Sequence, residues 1–417
     1  MNAERDDRTP FAGLVVLGCG FGGYSLLYRL PRRHWRPTLV SPRNHFLFYP
    51  LLASATVGTV EFRSIVEAVP RRLAHVRLLQ ANAEQIDFAA RRVVCRAAVG
   101  EDRFSIAYER LVIAVGTGVA DYGVPGVAEN ALCLKTVADA RAIRQAILDR
   151  FAAAGVPGLG EQERRRRVTF VVCGGGPTGV EVAAEIFDLV DREIAAADRG
   201  LAAASRVVLV EAQDRLLTGF DDALAAYARE HFQREGVEVR LSAKVSEVAA
   251  DRVRLADGGE IACGLVVWAG GNAPLPFVAG LEAEKDDRGR LLVDDRLRLL
   301  GHREVYALGD CAADAERPAP ATAQVAQQQG KYLAKVFERR RRGRRVAPFD
   351  FKSAGMLAYI GGGEALADLP HVKWGGRTAW LFWRSVYLTK LVSLANKAKV
   401  LFDWWKNRFF GRDLSRF

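Results

Sequence analysis

The stretch Leu14-Val15-Val16-Leu17-Gly18-Cys19-Gly20-Phe21-Gly22-Gly23 limits the folds open to this chain more than any other. It reads as a short apolar strand running into a glycine turn that opens a helix over residues 24–30. Gly18, Gly20 and Gly23 have the G-x-G-x-x-G spacing. Gly18 permits a tight turn, Gly20 lets a pyrophosphate approach the backbone, and Gly23 lets the helix pack closely on the strand. Phe21 and Gly22 complete the turn and count with it as cofactor-binding. The helix N-terminus offers free N–H groups and a partial positive charge to the phosphates. The pattern then returns. Residues 168–173 read as a strand, Gly174-Gly175-Gly176-Pro177-Thr178-Gly179 repeats the spacing, and residues 180–190 read as its helix. Two such folds in one chain imply two nucleotides and an electron path between them.

The strands between these motifs carry further candidates. Residues 38–40 form a second strand ending at Ser41-Pro42-Arg43. An acidic residue usually holds the ribose at this point. None is present, so Ser41 or Arg43 serves, or the ribose is held differently. Residues 44–52 read as a packed, proline-broken loop, 61–69 as a short helix, and 76–98 with 104–107 as a strand meander. Residues 111–115 are a buried strand closing on Gly116-Thr117-Gly118, which returns the chain beneath the first nucleotide. Residues 155–167 read as a loop whose arginines are a solvated approach to the next strand. In the second fold, the strand at 207–210 ends at Glu211. Its carboxylate can accept hydrogen bonds from an adenosine ribose diol and would repel a 2′-phosphate, which favours NADH over NADPH. Residues 265–269 form another buried strand closing on Gly270. This strand and the one at 111–115 read as the crossings between domains.

Asp310 follows a strand at 305–308 and reads as the head of a coming helix. There a carboxylate accepts from the ribityl hydroxyls of a flavin or caps the helix, and the roles are compatible. Gln324 and Gln328 are four apart and share a helix face. Their amides suit a carbonyl-bearing ligand, although spacing alone favours a solvated polar face. Residues 380–410 read as helical and amphipathic. Leu391, Leu394, Ala398, Leu401, Trp405 and Phe409 line one face, with Lys390, Lys397, Lys399, Lys406 and Arg408 around the others. Val400 and Trp404 fall on the polar side. Tryptophan, phenylalanine and lysine together suit a membrane interface. The alternative is a helix packed on the core or on a dimer partner.

At 417 residues the chain has room for two or three domains. The net charge of +11 points to an anionic partner, whether a membrane surface, nucleic acid or nucleotide. The six cysteines form no C-x-x-C pair, which argues against a redox dithiol or a thiolate metal site. The early glycine turn leaves no room for a leader peptide. No charge-free apolar run reaches the roughly 20 residues that span a bilayer.

These motifs resemble the type II (alternative, non-proton-pumping) NADH:quinone oxidoreductases, flavoproteins with two dinucleotide folds. The likeness covers nearly the whole chain. It includes Ser41-Pro42-Arg43-Asn44-His45-Phe46-Leu47-Phe48, Pro50-Leu51-Leu52, Gly58-Thr59-Val60-Glu61, Arg63-Ser64-Ile65, Gly174 through Glu181, and Gly309-Asp310-Cys311. Ala323, Gln324, Ala326 and Gln328 match the family's quinone-side signature, and Phe402-Asp403-Trp404-Trp405 with Phe410-Gly411-Arg412-Asp413 match its membrane-binding tail. The Ser-Pro-Arg form is nearest the fungal and plant branch and accounts for the missing acid. No EF-hand insertion is present, so no calcium control is expected.

The resemblance implies an α/β fold of two Rossmann-type dinucleotide-binding domains with a C-terminal membrane-binding region. FAD binding would occupy residues 10–125 and 268–335, NADH binding 126–267, and the amphipathic region 336–417. Gly18, Gly20, Phe21, Gly22, Gly23, Ser41, Arg43, Gly116, Thr117, Asp310, Ala323 and Gln324 would hold FAD. Gly174, Gly176, Pro177, Thr178, Gly179, Glu181, Glu211 and Gly270 would hold NADH. Glu181, Gln324 and Gln328 would serve catalysis, Glu181 by positioning NADH or supplying protons to the quinone; no metal is expected. The implied enzyme is a homodimer peripheral to the cytoplasmic face of a bacterial inner membrane, with a membrane quinone and the phospholipid surface as partners and no nucleic acid. Two other readings compete: a soluble flavoprotein reductase of a protein electron carrier, and a nucleotide-sensing binding flavoprotein.

Overall fold

The computed structural model describes residues 13–415. Residues 10–12 of the expected first segment and residues 416–417 of the expected tail lie outside them. The chain divides into two compact units. The first takes the chain up to Leu47 with Glu67–Gly118 and Asn272–Ser353; the second takes Phe48–Val66, Val119–Gly271 and the chain from Ala354.

The first unit is built on a five-stranded parallel sheet in the order Val305–Ala307, Arg110–Ile113, Leu14–Leu17, Thr38–Val40, Arg77–Leu79. The inner strands are buried along almost their whole length and show no alternation, as expected of strands covered on both faces. The helix Phe21–Arg29 starts three residues earlier than its apolar pattern suggests, because Gly22 and Gly23 form part of its first turn. It packs along the helix Ala323–Arg341 at a crossing of two glycines. A Cβ on Gly330 would collide with the carbonyl of Gly22. Beyond the crossing, Trp35 is fully buried against Phe337, and its indole N–H donates to Glu338. The strands Ala81–Asp87, Arg92–Ala97 and Arg103–Ala107 form the expected antiparallel meander.

The second unit repeats the plan, with parallel strands in the order Ala131–Cys133, Leu265–Trp268, Thr169–Cys173, Arg206–Val210, Glu238–Arg240. The helix Pro177–Leu189 follows the second glycine turn. Residues 155–167 are not a plain loop. Glu161–Arg167 is a helix in which Glu163 pairs with Arg166 and Arg167, three and four residues on. Acid in the first turn and base in the last complement the helix dipole. Residues 44–52 and 61–69 also differ from expectation, dividing into short strands at His45–Leu47 and Val66–Ala68 and short helical turns.

The C-terminal part of this unit is a three-stranded antiparallel sheet (Met356–Gly361, Glu364–Asp368, Lys373–Gly376) followed by two helices. The expected single helix breaks between Arg377–Lys390 and Leu394–Phe410, where Leu391 is buried and Ser393 caps the second helix by accepting from the Asn396 N–H. The second helix turns its more polar stripe inward. Asn396, Val400, Asp403 and Trp404 are buried, while Leu394, Leu401, Phe402, Trp405, Phe409 and Phe410 are exposed. Polar side chains face inward because they satisfy the backbone of residues 58–66. Asn396 donates to the Val66 carbonyl, Asp403 accepts from the Glu61 N–H, and Asn407 donates to the carbonyls of Gly58 and Thr59.

Substituting Gly330→Ala forces the two helices of the first unit apart and is expected to lower its stability by about 1–3 kcal/mol. A urea midpoint equal to the parent's would contradict this close packing.

Candidate functional site

In the first unit, three adjacent parallel strands end side by side, and a glycine with positive φ follows each: Gly18 (96°), Gly116 (69°) and Gly309 (75°). This gathers Gly18–Gly23, Gly116–Thr117 and Gly309–Asp310 at one carboxyl edge, the usual ligand crevice of an open parallel sheet. Ser41 follows the next strand. The residues present fit a large anionic dinucleotide such as FAD. A Cβ on Gly20 or Gly116 would meet nothing within 4 Å, and Thr117 Oγ1 is buried without a hydrogen-bond partner. Gly22 needs its missing side chain for another reason, since a Cβ there would collide with Leu308. The buried Ser41 hydroxyl accepts from the Arg43 N–H at 3.3 Å. Burial pushes the Cys19 thiol up to about 12, opposed by the Arg43 charge, which places a cation beside the glycine turn.

Asp310 does not head a long helix. It lies in the short turn Gly309–Cys311, a strand Ala312–Asp314 follows, and the next helix begins at Ala323 behind its own cap, Thr322. The turn is pinned from below by Gln329, which is buried and accepts from the Gly309 N–H at 2.7 Å. Sequence reading passed over Gln329 in favour of Gln324 and Gln328, although only its position on the inner helix face distinguishes it. A cavity of about 310 Å³ opens beside this turn, lined by Gly309, Asp314, Arg317, Val325, Gln329 and Phe349 among others. Ala323 and Gln324 sit in the first turn of the helix. The Gln328 amide donates to the Lys352 carbonyl at 2.8 Å and accepts from its N–H at 3.1 Å, so it also ties down the chain at residue 352.

In the second unit, Gly174 (φ 113°) follows the central strand and Gly270 follows its neighbour. A Cβ on Gly179 would strike the Gly174 carbonyl, whereas one on Gly176 would meet nothing within 4 Å. The first glycine function is close packing and the second is open approach. Pro177 occupies the first helical position and Thr178 the next, both exposed. Glu211 ends the adjacent strand. Its carboxylate accepts from the Gly175 N–H, and from the Gln213 N–H at 2.7 Å, which holds it at the lip of the glycine turn.

Glu181 lies one turn into the same helix. Its carboxyl accepts from the Tyr359 N–H at 3.3 Å. Burial pushes its pKa up to about 8; the Glu185 charge adds to this, while the Tyr359 N–H and the Trp383 indole oppose it. Glu185 and Asp188 continue the same face, each about 2 % exposed at the side chain. Sequence spacing at 181, 185 and 188 carried that signal. Their partners Tyr359 and Arg412, remote in sequence, did not show.

All six cysteines are free, and burial raises the thiol pKa of each that shifts, Cys311 to about 11. Among the described residues no cluster of potential metal ligands occurs.

The family model for pyridine nucleotide-disulphide oxidoreductases matches residues 12–330, and that for the NDH2 C-terminal domain matches residues 354–413. A probable NADH dehydrogenase of Dictyostelium discoideum is 38% identical, with 97% of this chain and 91% of the relative covered. External NADH-ubiquinone oxidoreductase 2 of Saccharomyces cerevisiae mitochondria is 36% identical, with 96% and 82% covered. The solved structure of NDH2 from Plasmodium falciparum in complex with NADH superposes with a TM-score of 0.92 at 23% identity, covering 98% of this chain and 100% of that one. At that identity the likeness speaks for the fold.

Glu211→Gln is expected to narrow the kcat/KM ratio of NADH over NADPH by about 10- to 150-fold, since a charge-assisted hydrogen bond is worth about 1.5–3 kcal/mol. An unchanged ratio would show that Glu211 does not read the ribose.

Proposed function

The chain belongs to the pyridine nucleotide-disulphide oxidoreductases, in their type II NADH:quinone oxidoreductase branch, and on that footing we propose that it oxidises NADH and reduces a membrane quinone without pumping protons. The observation that carries this reading is the presence of two open glycine crevices in one chain, each at the carboxyl edge of its own parallel sheet. We assign FAD to the first and NADH to the second. FAD, when bound, supplies a two-electron relay between NADH and quinone.

The protein's own residues hold and orient. The backbone N–H groups at the starts of the two glycine-turn helices face the phosphates. Thr117 and Asp310 offer a hydroxyl and a carboxyl to the flavin's polar chain, with Ser41 and Arg43 in place of the absent ribose acid. Glu211 accepts from the NADH ribose. Gln324 presents its amide to a quinone carbonyl, while Gln328, engaged with the Lys352 backbone, has its second amide N–H left for the same task. The overall reaction consumes NADH, one proton and quinone, and yields NAD⁺ and quinol, so one proton must come from the protein side. Glu181 is the proposed donor: held near 8, its carboxyl is protonated at neutral pH and can give a proton that a carboxyl of ordinary pKa would already have lost.

The lipid substrate calls for an enzyme that reaches the interface, and no helix among the described residues is long and apolar enough to cross a membrane. The exposed face of the helix Leu394–Phe410 supports a peripheral attachment. Phe402, Trp405, Phe409 and Phe410 cluster there, with Trp405 in ring contact with the other three. Lys397, Lys399, Lys406 and Arg408 flank them, and each basic residue near an anionic surface adds about 1 kcal/mol. The side of the membrane on which NADH is made, the cytoplasmic side in a bacterium, is the proposed location. The family resemblance supports a homodimer.

Three outcomes test this reading. Turnover with a water-soluble short-chain quinone should fall as pH rises through about 8, and Glu181→Gln should be slower and lack that limb; a limb that persists in E181Q removes Glu181 from proton delivery. The same substitution should also change stability. Glu181 is held above its unfolded value, so its stabilising contribution is complete below about 4.5 and is lost as pH rises to about 8. E181Q should therefore be the more stable protein above pH 8 by thermal unfolding. Separately, W405E/F409E should abolish co-flotation with anionic vesicles while leaving short-chain quinone turnover largely intact. Flotation at the parental level would refute the anchor.

A further inference from the structure

The helix Pro177–Leu189 carries Glu181, Glu185 and Asp188 at spacings of four and three, so three carboxyl groups share one largely buried face. Such a face needs a counter-charge, because an isolated buried carboxylate is costly. The counter-charge comes from the far end of the chain. Arg412, with its side chain 5% exposed, sits 3.4 Å from Glu185, 3.9 Å from Asp188 and 3.1 Å from Glu193. Its Nε also donates to Thr59 Oγ1 at 2.9 Å, and Thr59 in turn donates to Glu185 at 2.6 Å. Asp413 and its carbonyl are held by Arg144. Arg412 follows the exposed Phe410 by two residues, a span of at most about 7 Å.

We propose that Arg412 is a positioning residue for the reaction: by countering the Glu185 charge, it sets the pH range over which Glu181 holds its proton. This rests on the assignment of Glu181 as the proton donor. The groups that face the row from every packed element are few. Arg192 reaches Asp188 at 4.0 Å from the helical turn Val190–Ile194 that continues this helix. Tyr359 donates its hydroxyl to Asp188 and its N–H to Glu181. Ser54 and Thr59 hydrogen-bond Glu185, and Trp383 and Tyr387 face Glu181 from the helix Arg377–Lys390. Arg384 lies on that helix too, its guanidinium stacked on Trp380 and Trp404 at 4.3 and 4.1 Å from the ring centres, and its charge also bears on Glu185. Burial raises the Glu185 pKa, and Arg412 is the largest influence that lowers it.

The consequence of removing Arg412 has a definite sign. Without the guanidinium, Glu185 would be a buried charge lacking its paired counter-ion, with the stacked Arg384 as the remaining cation, and would take up a proton. The like charge one turn from Glu181 would then be gone, and Glu181 would release its proton at lower pH. Arg412 itself does not face Glu181 directly, so the loss of its positive charge there is the smaller effect.

The test uses FAD-loaded protein and short-chain quinone, with pH–rate profiles of R412Q, R412K, E185Q and E181Q. R412Q and E185Q should each move the alkaline limb down by about one pH unit, the double variant should move it no further, and R412K should leave it in place. E185Q keeps the test open should R412Q fail to fold. Infrared spectra supply a readout apart from turnover: R412Q should gain a protonated-carboxyl band at neutral pH that R412K lacks and that E185Q/R412Q loses. A limb that disappears in E181Q but is unmoved by R412Q and E185Q overturns the role of Arg412 alone. A limb that persists in E181Q overturns the assignment of Glu181, and this proposal with it.

Discussion

A dinucleotide brings charged phosphates that must be met by backbone N–H groups, and this demand organises the structure. The N–H groups come from a helix start, the helix must follow a strand directly, and the strand must be buried for its end to be fixed. Each sheet is therefore parallel, with inner strands hidden on both faces and only the edge strands Arg77–Leu79, Ala131–Cys133 and Glu238–Arg240 partly exposed. The glycines are then divided by task. Gly18 and Gly174 adopt positive φ at the turns, Gly23 and Gly179 allow close packing, and Gly20 and Gly176 leave open space where phosphate would lie. Gly22 and Gly330 add a demand of their own, the close passage of two helices behind the first crevice.

The C-terminal helices follow a different logic. Burial usually selects the apolar stripe of a helix, yet the helix Leu394–Phe410 buries an asparagine and an aspartate and leaves phenylalanines outside. The reason is the segment beneath it. Residues 58–65 lie outside any strand and Val66 only begins one, so several of their backbone groups need side-chain partners. Asn396, Asp403 and Asn407 supply them, and Arg412 donates to the Thr59 hydroxyl. The apolar stripe is thereby left for another medium, and the same helix ties an exposed aromatic surface to the buried acid face through Arg412.

Local signals made the two parallel sheets legible. Short all-apolar strands closing on glycine occur at Leu17, Ile113, Cys173 and Trp268, and each proved to be a strand end at a crevice. Glu211 was legible because it ends such a strand. The meander was legible from alternation. What remained hidden depended on partners distant in the chain. The raised carboxyl of Glu181 comes from burial, with the Glu185 charge adding to it and the distant Tyr359 N–H and Trp383 indole opposing it, and the placement of Asp310 on a short turn requires the strand at Ala312–Asp314 before the next helix. At residues 161–167 the arginine run suggests a solvated loop, but i,i+3 and i,i+4 pairing of Glu163 with Arg166 and Arg167 makes it a helix. In the tail the stripe from Leu394 to Phe409 holds as one exposed face, but Leu391 is buried at the break between two helices, and periodicity cannot say whether an apolar stripe faces in or out.

The central claim is that electrons taken from NADH pass to a quinone. It is tested most directly by anaerobic rapid mixing of the FAD-loaded protein. NADH should bleach the flavin absorption at once, with NADPH much slower, and a following pulse of short-chain quinone should restore it with one quinol formed for each NADH consumed. A flavin that NADH bleaches but quinone does not restore would contradict the account and leave reduction of a protein carrier as the chemistry to explain.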